Sequence, residues 1–180
     1  MMLGSIQWPM VSAIAASIGV IVALISYVVS LRITRLSNSA KMVLDFVNIF
    51  NSSEMKAHRS QFATMLLGDK STIDLRRQAA VLEFFEEIGY MTRRKVLDTG
   101  MVWNSFSWWL EPYYLAVTAE PDLIAKARKE SGSSSLYCET EWLQKKMCKV
   151  GMKEECKDEH VLASTAFVHI FLEDESKLAA

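Results

Sequence analysis

The first 31 residues of this 180-residue chain contain no Asp, Glu, Lys or Arg, so all 20 basic and 21 acidic residues follow them. The two signs of charge nearly cancel, which argues against nucleic-acid binding through a bulk positive surface. With only 7 Gly and 3 Pro, the chain is neither collagen-like nor a low-complexity disordered polymer. The sequence therefore divides into an uncharged N-terminal part and a charged part long enough to bury a core.

Residues 11–31 form an apolar run whose only polar side chains are serines and one tyrosine. As a helix, this run would rise about 31 Å, close to the roughly 30 Å hydrocarbon core of a bilayer. A cleavable signal peptide is the alternative. The run has no basic region before it, is longer than a typical signal h-region and lacks a convincing cleavage site. We therefore predict a transmembrane helix with the lipid bilayer as its partner.

The residues on either side of the run predict its orientation. Trp8 precedes it as an interfacial anchor, and Arg32 and Arg35 follow it, whereas the preceding residues carry no charge. Positive residues favour the cytoplasmic side of a membrane. The prediction is a single-pass protein of the inner (cytoplasmic) membrane with its N-terminus outside and its C-terminal domain in the cytoplasm.

Ala15, Gly19 and Ala23 recur at every fourth residue within the run. Small residues at this spacing let two helices approach closely in lipid, so they indicate a homodimer. Small residues are also common in any transmembrane helix, and both interpretations stay open.

Apolar residues recur at helical spacing through the charged part of the chain. Two helices are indicated between residues 37 and 68, separated at Asn51-Ser52-Ser53. Gly68 ends the second, and we expect it in the left-handed conformation of a helix terminus. The clearest helix follows, with an apolar stripe of Val81, Phe84, Phe85, Ile88 and Met91.

Further helices follow a turn at Asp98-Thr99-Gly100. Pro112 lies within the first of them and removes one backbone hydrogen bond, so we expect a kink or a break there. Another helix is ended by Gly151. Residues 161–172 fit a helix, although they could also alternate as a strand.

The predicted fold class is therefore all-α, with one N-terminal transmembrane helix followed by a cytoplasmic helical bundle. We see no internal repeat. The predicted segments are a short extracytoplasmic N-terminus over residues 1–10, the transmembrane helix over 11–31, a helical domain over 32–150 and a helical C-terminal extension over 151–180.

Three stretches of the sequence carry a family resemblance: LEFFEEIGYMTRRKVLD, VWNSFSWWLEPYY and LYCETEWLQ. The chain resembles, over roughly residues 10–147, an uncharacterised bacterial family catalogued as domain of unknown function 4760. The resemblance implies a short membrane-anchored protein with an all-helical cytoplasmic part, and it implies no established activity. The sequence departs from the family pattern at Pro112 and after Val150. The matching residues are Phe84, Phe85, Glu86, Glu87, Ile88, Arg93, Arg94, Trp103, Asn104, Phe106, Trp109, Leu136, Tyr137, Glu141, Trp142 and Leu143.

Motifs for common chemistries are missing. The chain has no G-x-S-x-G nucleophile motif and no glycine-rich phosphate-binding loop, so no catalytic residue and no cofactor is predicted. Cys138, Cys148, Cys156 and His160 form a candidate metal cluster, since Cys156 and His160 are four residues apart and would share a helix face. Their spacing fits no standard zinc module. An odd number of cysteines facing a reducing cytoplasm predicts free thiols and no metal site.

Charged and aromatic residues on two successive helices form the candidate interaction surface. Salt links to Arg93, Arg94 or another helix are the simplest interpretation of the glutamates on the first helix. The tryptophans of the second helix either pack in mid-bundle or mark an interface. The surface consists of Glu86, Glu87, Arg93, Arg94, Trp103, Asn104 and Trp108.

Two hypotheses for function follow. The first is a protein-interaction, scaffold or sensor module that recruits an unidentified protein partner at the cytoplasmic membrane face. The second is a membrane-tethered enzyme or effector that uses Glu86, Glu87 and a polar neighbour such as Asn104. Nucleic-acid binding is the weakest reading.

Overall fold

The structure is a computed structural model, and it describes residues 8–69, 73–75, 80–154 and 163–178, with side chains from residue 16 onward. Within these ranges the chain forms seven α-helices and no β-strand, which confirms the predicted all-α class. The helices are α1 (Trp8–Phe50), α2 (Ser53–Leu67), α3 (Ala80–Arg93), α4 (Thr99–Thr118), α5 (Leu123–Ser131), α6 (Cys138–Glu154) and α7 (Thr165–Ser176).

The first helix, α1, is a single helix of 43 residues. The sequence predicted a separate helix from residue 37, but no Gly or Pro lies between Arg32 and Phe50 to end α1. From Ala16 onward α1 includes an 18-residue window with a mean hydropathy of 2.1, none of it buried. By length and composition α1 is therefore one candidate membrane helix. A signal sequence near an N-terminus would have the same features.

The chain divides into two units, Met1–Asn38 and Ser39–Ala180. In the second unit α3 packs against α6, α7 packs against α2, and α4 packs against both α6 and α7. The C-terminal helix α7 is thus part of the same unit as α2. Its helical conformation confirms the helix predicted for this region and excludes the strand alternative over residues 165–176.

An aromatic cluster lies at the centre of the second unit. The Phe50 ring, at the end of α1, has its centroid 5.1 to 5.9 Å from those of Phe84, Phe85, Phe106 and Trp109. Phe84 and Phe85 belong to the predicted α3 stripe. Both are buried, and so are two further members of the stripe, Val81 and Ile88. The helical period of the sequence therefore located the core face of α3 correctly.

The ends of the helices differ in part from expectation. The break predicted at Asn51 and Ser52 is confirmed, since the Ser52 hydroxyl accepts a hydrogen bond from the Met55 amide at 3.2 Å and caps α2. Gly68 ends α2 but has φ −84°, so the left-handed prediction was wrong. Its N–H donates to the Met65 carbonyl at 3.1 Å, and this tight last turn needs no positive φ.

Two helices continue past residues expected to stop them. α4 runs through Pro112 without a break, so that part of the prediction was wrong. Proline removes only one hydrogen bond, and buried residues on both sides, such as Leu110 and Tyr113, hold α4 in place. α6 likewise continues through the buried Gly151 to Glu154.

Candidate functional site

The helices α3 and α6 approach each other closely at Gly89. A Cβ atom at this position would lie 2.5 Å from the Glu139 carbonyl oxygen and 2.8 Å from the Glu139 carbonyl carbon. Backbone atoms cannot move aside as a flexible side-chain end can. Only glycine therefore allows α3 to lie against the first turn of α6.

The Glu86 carboxylate, one turn earlier on α3, caps the N-terminus of α6. It accepts hydrogen bonds from the Glu139 amide at 3.2 Å, the Thr140 amide at 2.7 Å and the Thr140 hydroxyl at 2.9 Å. Tyr137, just before α6, has φ +57° and no short polar side chain with which to cap it. Glu86 supplies from another helix the oxygen atoms and negative charge that a helix N-terminus favours.

An acidic groove of about 520 Å³ lies beside this junction. Burial, reinforced by the carboxylates of Glu83 and Glu86, raises the pKa of Tyr137 to about 12. Its phenol therefore stays protonated into the alkaline range in which a free tyrosine ionises. The groove is lined by Glu83, Glu86, Glu87, Tyr90, Ser133, Ser135, Leu136, Tyr137 and Glu139.

The two arginines at the end of α3 have different neighbours. The Arg93 guanidinium donates to a Glu139 carboxylate oxygen at 3.0 Å and lies 5.9 Å from the centre of the Trp142 ring. The Arg94 guanidinium lies over the Tyr90 ring at 5.2 Å. Arg93 thus pairs with a glutamate of α6 instead of the glutamates of its own helix.

The α4 residues of the predicted surface face in different directions. Trp103 is half-buried against the core, whereas Asn104 is exposed and does not line the acidic groove. Trp108 is 62% exposed, and its ring meets that of Phe167 on α7 edge to face at 5.2 Å. The structure thus brings together Glu86, Glu87 and Arg93 at the α3–α6 junction, while Asn104 and Trp108 lie elsewhere on the unit.

Trp108 belongs to an exposed apolar patch. Phe167 and Ile170 are three residues apart on α7 and therefore share one face. Ile170 is 57% exposed. We call Trp108, Phe167 and Ile170 the Trp108 patch.

The predicted anchor residues all lie on α1. Trp8 is its first residue, but the side chains of Trp8 and Ala15 are outside the described part of the structure. A Cβ at Gly19 would meet nothing within 4 Å. Arg32 and Arg35 are exposed.

Two cysteines lie among the described residues, Cys138 and Cys148, and both are free thiols. Burial raises the pKa of the Cys148 thiol. Cys156 and His160, the pair considered as metal ligands, lie outside the described residues. Among the residues that the structure does describe, no group of three or more His, Cys, Asp or Glu could hold a metal ion.

A buried polar network that the sequence analysis missed joins four helices. The Arg59 guanidinium on α2 donates to the two carboxylate oxygens of Glu175 on α7 at 2.7 and 2.5 Å, and to the Phe50 carbonyl at 3.2 Å. The Tyr113 hydroxyl on α4 donates to Glu175 at 2.6 Å. Burial, followed by the neighbouring Glu175 charge, raises the pKa of Tyr113 well above its usual range. The available signal was spacing, because Glu175 follows Val168, Phe171 and Leu172 at helical intervals and so lies on the buried face of α7.

Taken together, these features define a class: an all-helical unit with an internal ion-pair network, preceded by a long apolar helix that could cross a membrane. The family model described as Domain of unknown function (DUF4760) matches residues 13–147, three quarters of the chain. The chain belongs to this family. No curated protein and no solved structure matches it.

Proposed function

We propose that this protein is a single-pass membrane protein whose helical unit binds a protein partner at the cytoplasmic face of the inner membrane. One observation carries the membrane part of the proposal. The large apolar side chains from Ile18 to Leu31 are 48 to 63% exposed. Moving such a side chain from water into an apolar environment is favourable by roughly 1.5–3 kcal/mol, so insertion of this segment into a bilayer would be strongly favourable.

The charges that follow the apolar run support the proposed orientation. Arg32 and Arg35 are exposed on α1 directly after it, and no charged side chain precedes it. This asymmetry favours a cytoplasmic location for the helical unit. The small residues Gly19 and Ala23, together with Ala15, would permit a homodimer in lipid.

The anchor and its orientation are tested in cells with the full chain. We expect the protein to resist extraction by alkaline carbonate and to keep an epitope tag placed at its N-terminus. Green fluorescent protein fused to the C-terminus should fluoresce, while alkaline phosphatase fused there should be inactive. Loss of the N-terminal tag would identify a cleaved signal sequence. An active phosphatase would show that the C-terminus lies outside the cytoplasm, opposite to the proposed orientation.

The Trp108 patch supports the interaction part of the proposal. An exposed tryptophan contributes a large, rigid contact area at small entropic cost, and such residues dominate the affinity of many interfaces. The Trp108 and Phe167 rings meet edge to face, and most of the Trp108 surface stays accessible. The patch is therefore our choice for the centre of the partner-binding surface.

A pair of matched variants tests the patch. Trp108→Ala should weaken capture of the partner from gently solubilised membranes by about 30-fold or more, the effect of losing an interface hot spot. Leu44→Ala removes a similarly exposed apolar side chain on α1, 61% exposed, and should leave capture unchanged. If both variants retain the same proteins as the wild type, the Trp108 patch is not the binding surface.

An enzyme that uses Glu86 and Glu87 is the second candidate, favoured by the groove that both residues line. The Glu86 carboxylate is engaged by three hydrogen bonds to α6, whereas Glu87 is exposed. Glu87→Gln should therefore leave the melting temperature unchanged. Loss of the cellular phenotype in a stably folded Glu87→Gln variant that still captures the partner would favour the enzyme over the interaction module.

A further inference from the structure

The turn after α3 has the hydrogen-bond pattern of a Schellman motif. The Val96 amide donates to the Met91 carbonyl at 3.0 Å, five residues back, and the Lys95 amide donates to the Thr92 carbonyl at 3.0 Å. The residue in the left-handed conformation of this motif is usually glycine. Here it is Lys95, with φ +60°. A side chain in this conformation costs roughly 1–2 kcal/mol, so the lysine is not there for local stability.

Lys95 belongs to an exposed basic and apolar turn, which we define as Arg94, Lys95 and Val96. All three are exposed, Val96 to 44%. No ion pair to an acidic side chain forms at Arg94 or Lys95 within the described ranges. Arg94 instead lies over the Tyr90 ring, which is itself half exposed. Two cations without an ion-pair partner among the described residues, beside an aliphatic and an aromatic side chain, suit a surface that combines phosphates with apolar chains.

The turn lies close to the point where the chain enters its second unit. The Asp98 amide, three residues after Lys95, donates to the hydroxyl of the buried Ser39 at 2.6 Å. Ser39 is the first residue of that unit. It follows Leu31, the end of the proposed membrane span, by eight residues in the sequence. The turn that carries Arg94 and Lys95 is thus linked by a hydrogen bond to the first residue of the second unit.

We propose that the Arg94-Lys95-Val96 turn binds the anionic headgroups of the membrane in which α1 is anchored. This inference rests on the proposed membrane location. The cytoplasmic leaflet carries a negative surface potential that attracts basic residues near a membrane segment, and Arg32 and Arg35 add to the same attraction. Each basic residue near an anionic surface contributes about 1 kcal/mol, so Arg94 and Lys95 together should raise the ratio of membrane-bound to unbound turn about 30-fold. Val96 and Tyr90 add contacts at the boundary between headgroups and acyl chains.

The test uses the full-length protein in nanodiscs made of phosphatidylcholine alone or with phosphatidylglycerol added. The measurement is amide hydrogen exchange in residues 90–98. We expect exchange in this segment to slow several-fold only when the anionic lipid is present, and to recover when salt is raised. Equal exchange in the two lipid compositions, or slowing in both, would overturn the inference.

The double variant Arg94→Gln/Lys95→Gly removes both charges, and glycine relieves the positive φ, so loss of folding should not confuse the result. It should abolish the slowing by anionic lipid. The control variant Lys129→Gln/Lys149→Gln removes two exposed charges elsewhere and should keep it. Slowing that persists in the first double variant contradicts the assignment.

Two further results separate the alternatives. If inorganic phosphate slows exchange in neutral nanodiscs as strongly as phosphatidylglycerol does, the turn binds soluble anions and the inference fails. If the chain does not enter nanodiscs at all, the proposed membrane anchor fails instead. A chain that enters nanodiscs but exchanges equally in both lipids keeps its anchor and loses this inference.

Discussion

Replacing Glu175 by glutamine isolates the energetic role of the buried network, because the shape of the side chain is kept while its charge is removed. The side chains of Arg59 and Glu175 are only 4% and 8% exposed, so solvent does not screen the pair. Glu175→Gln leaves the Arg59 guanidinium buried without a counter-ion. The Phe50 ring, 4.2 Å from the guanidinium carbon, compensates only in part.

The expected cost follows from these contacts. Removing one partner of a buried ion pair destabilises a protein by about 3–5 kcal/mol. The unit from Ser39 to Ala180 has about 140 residues, for which 1 kcal/mol shifts the melting temperature by roughly 3 °C. Glu175→Gln should therefore lower it by about 10–15 °C. Tyr113→Phe removes one hydrogen bond to a charged group, worth about 1.5–3 kcal/mol, and should lower it by about 5–9 °C.

The assay is thermal unfolding of the full chain in detergent, followed by tryptophan fluorescence. Glu173→Gln is the matched control, since it makes the same change on the same helix at a side chain that is 50% exposed. Its effect should stay within about 0.5 kcal/mol. Adding Arg59→Met to Glu175→Gln removes the orphaned charge and should recover part of the loss. Equal melting temperatures for Glu175→Gln and Glu173→Gln would refute the reasoning.

Three further predictions concern the α3–α6 junction and the Cys148 thiol of α6. Gly89→Ala should destabilise the unit by about 1–3 kcal/mol in chemical denaturation despite the better helix propensity of alanine, because its Cβ would overlap the Glu139 carbonyl; a stabilised variant would contradict this. Glu86→Gln should cost about 1–2 kcal/mol in the same assay, since the α6 cap loses its charge, and an unchanged midpoint would show that the cap contributes nothing. Cys148 should react with iodoacetamide more slowly in the folded protein than in urea at one pH near 8, because its raised pKa leaves less thiolate; equal rates, read by mass spectrometry, would contradict the burial.

Local periodicity made much of this fold predictable. The α3 stripe, the apolar run of α1 and the break at Ser52 are each encoded in one continuous stretch of sequence, and the structure contains all three. Predictions failed where tertiary contacts override a local preference. Pro112 disfavours a helix locally, yet buried neighbours on both sides continue α4 through it.

The polar contacts of the candidate site were beyond local reasoning. Glu86 stood out in the sequence, but its partners in α6 are more than 50 residues away, and nothing in the spacing of α3 points to them. The sequence suggested salt links of the α3 glutamates to Arg93, Arg94 or another helix. Glu86 instead accepts hydrogen bonds from backbone amides of α6, and Arg93 pairs with Glu139. Arg59 and Glu175 each lie at helical spacing on the buried face of their own helix, but they are 116 residues apart, so only the fold could show that they pair.

The position of Glu175 leads to a prediction about the limits of the folded unit. The family match ends at residue 147, but the counter-ion of Arg59 lies on α7, beyond it. A chain ending at Glu154 would lose that carboxylate, at about 3–5 kcal/mol. It would also lose the burial of Val168, Phe171 and Leu172, at roughly 1.5–3 kcal/mol each.

These losses together approach the 5–15 kcal/mol that stabilises a typical domain. We therefore expect the chain of residues 1–154 to lack a cooperative thermal transition and to be digested rapidly by protease in detergent. Arg59→Met in that shortened chain removes the uncompensated charge and should slow digestion. The size of this effect distinguishes the contribution of the ion pair to stability from that of the apolar contacts of α7. If residues 1–154 instead unfold cooperatively near the melting temperature of the full chain, α7 is an accessory to the unit and the Arg59–Glu175 pair does not hold it together.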